Sequence, residues 1–147
     1  KCHDTNKTGN FITLFYLVVD WGAKQIQWVR CGHDPAVMFS PETGEFEELR
    51  GEGLALGFDN DFDYKEHRVE FGDSRNIILI VSDGAWEVEN ELGKEFGKER
   101  LNQLLAANHE LPSRQILDLL SGELGKFMGD TAPKDDITIT VIKLNYE

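Results

Sequence analysis

The chain has 147 residues, 40% of them hydrophobic, and a formal net charge of −12 at pH 7. That length suits one domain, 1–147, with a sizeable core, and the abundance of Phe, Ile and Leu excludes a disordered chain. The acidic field argues against nucleic acid or an anionic membrane surface as partner and would attract a metal cation, while the longest apolar runs fall short of the roughly 20 residues a membrane span needs.

The opening stretch, Lys1 to Asn10, is polar, carries no hydrophobic period and reads as a loop or frayed end. It holds no charged-then-apolar leader, so the expected location is cytoplasmic. In that compartment Cys2 and Cys31, which lack paired ligand spacing, read as free thiols without assigned chemistry. Phe11 to Asp20 is rich in aromatic and β-branched residues, Trp21 to Lys24 offers a turn, and Gln25 to Arg30 alternates, so the three predict a β-hairpin. Cys31-Gly-His-Asp-Pro35 interrupts it, and Ala36 to Phe39, the turn Pro41 to Gly44 and Phe46 to Leu49 predict a second hairpin. His33, between Gly32 and Pro35, reads as a hydrogen-bonded turn residue. Gly51 to Gly57 holds three glycines around Leu54 and Leu56, a composition for a tight crossing of backbones. Asn60 to Asp63 is acidic and solvated, and Tyr64 to Phe71 alternates as a further strand; to this point the pattern reads as a β meander.

Asn76 to Glu87 is the stretch with most chemistry. The run Ile77 to Val81 is too apolar to face water on either side, which suits a strand buried on both faces, although a buried helix would satisfy the same pattern. Ser82-Asp83-Gly84 ends it. A carboxylate at the end of a buried strand, followed by a glycine that lets the chain turn, is held rigidly at the rim of a core, so Asp83 is a candidate site residue beside the plain reading of a turn. Leu101, Leu104 and Leu105 then fall at helical spacing within Lys98 to Asn108, and Pro112-Ser113 opens a second amphipathic helix. Asp135-Asp136 closes a polar loop just before the strand Ile137 to Leu144. Strands, two helices and a closing strand predict an α+β fold, with helices packed on antiparallel sheet. The tryptophans Trp21, Trp28 and Trp86 each have a core or hairpin explanation.

If the strands ending at Asp83 and beginning after Asp136 are neighbours, three carboxylates converge at one sheet edge. Their mutual repulsion is relieved by a hard cation such as Mg²⁺ or Mn²⁺, although Asp135 or Asp136 could equally cap a turn.

Seven motifs stand in one order: Phe11-Ile-Thr-Leu, Cys31-Gly-His-Asp-Pro35, Gly53-Leu-Ala-Leu-Gly57, Phe71-Gly-Asp73, Ser82-Asp-Gly84 with Glu87, Gly93 to Leu101, and Asp135-Asp-Ile-Thr138. In that order the chain resembles the bacterial PPM-type (protein phosphatase 2C-like) serine/threonine phosphatases, in the branch that controls sporulation and stress sigma factors. The resemblance implies part of an αββα sandwich and a hydrolase that uses a pair of Mn²⁺ or Mg²⁺ ions to remove phosphate from a phosphoserine or phosphothreonine protein, a small antagonist. It matches Asp83 and Asp135 to metal ligands and Asp136 to a position that orients Asp135. It also implies an upstream sensor domain.

One departure accompanies the matches. The family's amino-terminal Gly-Asp motif followed by Gly-His-Gly, whose aspartate bridges both metals, does not occur in this sequence, and Asp4 lacks the flanking glycines. The chain is therefore expected to be the carboxy-terminal part of a catalytic domain, inactive alone. The competing expectation is a non-catalytic regulatory or protein-binding module with a degenerate phosphatase fold. Edges left uncovered predict a homodimer or close packing that pairs edge strands or buries the residues around Phe11 to Val19.

Overall fold

Alternating side chains lay out the first strands: β1 (Leu14–Asp20) and β2 (Gln25–Cys31) pair antiparallel from Leu14↔Cys31 to Asp20↔Gln25, and Lys24 closes the turn at φ 52°. The computed structural model describes residues 11–59 and 61–144; the polar opening, with Cys2 and Asp4, and Asn60 lie outside the described residues. The described residues gather into two compact units, one running to Ala36 and resuming over Glu48–Asp73, the other comprising Val37–Glu47 and the chain from Ser74.

The first unit carries a three-stranded sheet of order β1-β2-β5, where β5 is His67–Glu70. The strand expected from Tyr64 to Phe71 thus narrows to four residues, those that pair with Gln25 to Trp28 of β2. The glycine-rich stretch is a tight crossing, as expected: a Cβ added to Gly53 would lie 1.7 Å from the Arg30 carbonyl oxygen. Trp28 is a core residue whose indole N–H donates to the Arg50 carbonyl at 2.8 Å. Trp21 meets Phe71 edge-on at the hairpin turn. His33 is a turn residue, its Nδ1 3.0 Å from the Asp34 carbonyl oxygen.

The meander expectation fails after β2. Gly32 adopts φ 73°, and with Pro35 it breaks the ladder, so the second hairpin, β3 (Ala36–Ser40) and β4 (Glu45–Leu49), joins another sheet. That sheet has the order β4-β3-β6-β7, with β6 at Ile77–Val81 and β7 at Ile139–Lys143. β7 is shorter at both ends than the Ile137 to Leu144 of the sequence pattern. β6 sits between two antiparallel partners, and Ile77, Ile78 and Leu79 are buried on both of its faces, as its apolar run requires.

Two helices cover the face of β6 that presents Ile77 and Leu79. α2 (Lys98–Ala107) buries Leu101 and Leu105, and α3 (Ser113–Met128) buries Ile116, Leu120 and Leu124, one residue per turn along a single stripe. Each of these side chains contributes roughly 1.5–3 kcal/mol relative to exposure. Lys143 of β7 ties the helix connection to the sheet by donating to the carbonyls of His109 and Leu111 at 2.7 and 2.8 Å. The observed architecture is α+β, with helices on antiparallel sheet.

Candidate active site

The site candidates lie where β6 ends and β7 begins. Val81, the last residue of β6, pairs with Ile139, the first of β7, so the segments just beyond them leave the sheet together. After Ser82 the chain makes a single helical turn, α1 (Asp83–Trp86), where the sequence predicted a plain turn. Asp83 opens this turn with an exposed side chain, and its Oδ1 accepts the Gly84 N–H at 2.9 Å. Asp135 and Asp136 are also exposed, and Asp135 Oδ1 accepts the Asp136 N–H at 2.7 Å.

Glycine at position 84 allows these two segments to meet. A Cβ there would stand 2.5 Å from the Asp136 carbonyl oxygen, closer than real Cβ atoms come, and 3.4 Å from the Asp135 carbonyl carbon. The Asp83-Gly84 peptide therefore packs on the Asp135-Asp136 peptide, with all three predicted site residues on these two segments. Two further contacts hold the loop. Ser82 Oγ donates to the Asp136 carbonyl at 2.9 Å, and Lys134 Nζ lies 2.5 Å from Glu89 Oε1. The sequence reading passed over Ser82; a hydroxyl placed directly between a buried strand and a candidate carboxylate is the signal that could have marked it.

The donors are carboxylate oxygens, which suit a hard divalent cation in kind. In number they fall short: among the described residues no group of three His, Cys, Asp or Glu side chains converges as a metal site. The remaining candidates stay structural. Cys31 is a buried free cysteine, and burial pushes its thiol above the ordinary range. Trp86 lies under Lys98, whose Nζ is 4.4 Å from the ring centre.

The chain is similar to several known proteins. The phosphoserine phosphatase RsbU of Bacillus subtilis is 29% identical over 135 residues, which cover 90% of this chain and 39% of RsbU. The SiaA-PP2C domain of Pseudomonas aeruginosa superposes with a TM-score of 0.75 at 23% identity, over 88% of this chain and 50% of that one. The manganese-presoaked phosphatase domain of SpoIIE from Bacillus subtilis gives 0.68 at 16% identity, over 92% and 57%. The chain thus spans about two fifths of RsbU and half of the SiaA domain. A model of the Stage II sporulation protein E (SpoIIE) family matches residues 1–145, and the chain belongs to that family.

Proposed function

We propose that the chain is the carboxy-terminal part of the catalytic domain of a divalent-metal-dependent phosphatase that removes phosphate from phosphoserine or phosphothreonine in a small regulatory protein. The observation that carries this reading is the packing of Gly84 on the Asp135-Asp136 peptide, which sets two carboxylate-bearing segments side by side within a family of phosphatases. Asp83 and Asp135 would hold Mn²⁺ or Mg²⁺, with Asp136 orienting Asp135. When bound, the metal pair would supply an activated water and take up charge on the phosphoryl oxygens.

Among the described residues the donor set is incomplete, so the remaining ligands would come from a Gly-Asp and Gly-His-Gly segment elsewhere in the full-length protein. That protein would be cytoplasmic and carry an upstream sensor domain; no helix among the described residues is long and apolar enough to cross a membrane. The 147-residue chain alone should hydrolyse p-nitrophenyl phosphate negligibly with Mn²⁺. In the full-length protein Asp83→Asn should abolish Mn²⁺-dependent turnover, and full activity in that variant would remove Asp83 from the site. The incomplete donor set also favours a second reading, a non-catalytic module; full-length protein inactive at every Mn²⁺ concentration would select it.

We further propose self-association through β1. This edge strand exposes Leu14, Tyr16 and Val18, and no charge occurs between Phe11 and Val19 in a chain of net charge −12, so two copies could meet there without repulsion. Light scattering over a concentration series tests it; a clean monomer at the highest concentration excludes it.

A further inference from the structure

We propose that Ser82 is a positioning residue whose hydroxyl holds the Asp135-Asp136 carboxylates in register with Asp83. The inference rests on the reading of those carboxylates as the phosphatase's acidic site.

Ser82 occupies the N-cap position of α1, where a serine side chain ordinarily accepts a backbone N–H of the helix it opens. Here it makes no such bond. The hydroxyl acts instead on the other segment, donating to the Asp136 carbonyl at 2.9 Å and accepting from the Thr138 N–H at 3.0 Å. The Ser82 N–H adds a third link, to the Thr138 carbonyl at 3.0 Å. One residue thus clasps the two peptide groups that bracket Ile137.

The clasp falls just beyond the last paired residues of β6 and β7. The β6–β7 ladder begins at Val81↔Ile139, so residues 135–138 precede regular pairing. The Asp135 carboxylate accepts the amide of Asp136 next to it, a bond that fixes the shape of the pair without attaching it to β6. The Lys134–Glu89 ion pair joins the loop from its other side through a lysine whose side chain is 70% exposed, and such pairs hold weakly. Gly84 lets the loop approach, while its own N–H donates to Asp83. Removing the hydroxyl would leave the Asp136 carbonyl and the Thr138 N–H without the partner they share, while the Ser82 backbone bond and the ladder persist.

The test compares Ser82→Ala with Ser82→Thr, which keeps a hydroxyl, in the full-length protein. In Ser82→Ala the Thr138 amide should exchange with solvent about tenfold faster, whereas the amides of Leu79 and Val141 should be unchanged. Mn²⁺ affinity, measured by isothermal titration, should fall about 10- to 100-fold, the range found when groups that orient metal ligands are lost. Ser82→Thr should restore both. Unchanged Thr138 exchange in Ser82→Ala, faster exchange along the whole β6–β7 ladder, or no rescue by threonine would overturn the proposal. Faster Thr138 exchange with undiminished Mn²⁺ affinity would also overturn it while sparing the phosphatase reading. Undiminished Mn²⁺ binding in Asp83→Asn would overturn the acidic-site reading itself.

Discussion

The two sheets show how one kind of sequence pattern leads to two different burials. β1 and β6 are both rich in apolar residues. In β6, flanked by β3 and β7 and covered by α2 and α3, Ile77 and Ile78 are fully buried and Leu79 nearly so. In β1, an edge strand, every second residue stays exposed, and Tyr16 keeps 58% of its surface in solvent. Apolar content states what a strand could bury. Its neighbours decide what it does bury, and the site candidates extend from the strand whose neighbours are present on both sides.

The largest expected effect lies in the covered sheet. Leu120→Ala deletes a fully buried side chain from the helix–sheet core and should cost about 2–5 kcal/mol in urea denaturation. A loss under about 1 kcal/mol would mean that this core is loosely packed and that the contrast with β1 is overstated. Gly53→Ala comes next. Its Cβ would overlap the Arg30 carbonyl oxygen, so the crossing over β2 must shift, at a cost of about 1–3 kcal/mol measured in the same way. An unchanged midpoint would show that the crossing yields freely.

Tyr16→Ser should move stability by no more than about 0.5 kcal/mol at low protein concentration, because the exposed tyrosine has little burial to lose. A larger loss, growing with concentration, would identify a partner copy seated on β1. The smallest effect concerns Glu123, whose carboxyl is held below its ordinary range by a hydrogen bond from Lys126 at 2.7 Å, then by the charge of Lys126. A depressed carboxyl stabilises above its unfolded value, and this contribution is lost as pH falls through the folded value. Glu123→Gln should therefore flatten the acid limb of a stability–pH curve slightly and leave neutral pH almost unchanged, since solvent screens the pair. A drop at pH 7 as large as that of Gly53→Ala would contradict this assignment.

Much of the fold was legible because alternation, apolar runs and helical spacing are local. Both hairpins, the doubly buried β6 and the stripe on α3 follow from residues within one element. Sheet membership was not legible, since the return of β5 to β2 and of β6 to β3 depends on pairings between distant residues that no local pattern encodes. At the candidate site, Asp83 and Asp135 stood out as candidates from their places at strand ends. Ser82 was not, because its hydroxyl acts on residues 54 and 56 positions away, and a serine in sequence looks the same whether it caps its own turn or clasps another segment.

The central claim is that Asp83 and Asp135 serve one site. A double-mutant cycle of Asp83→Asn and Asp135→Asn in the full-length protein, read as Mn²⁺-dependent hydrolysis of a phosphoserine peptide, addresses it most directly. Two ligands of one site act as a unit, so either substitution alone should remove nearly as much activity as both together. Losses that simply multiply, or an Asp135→Asn variant with full activity, would show that the two carboxylates work apart.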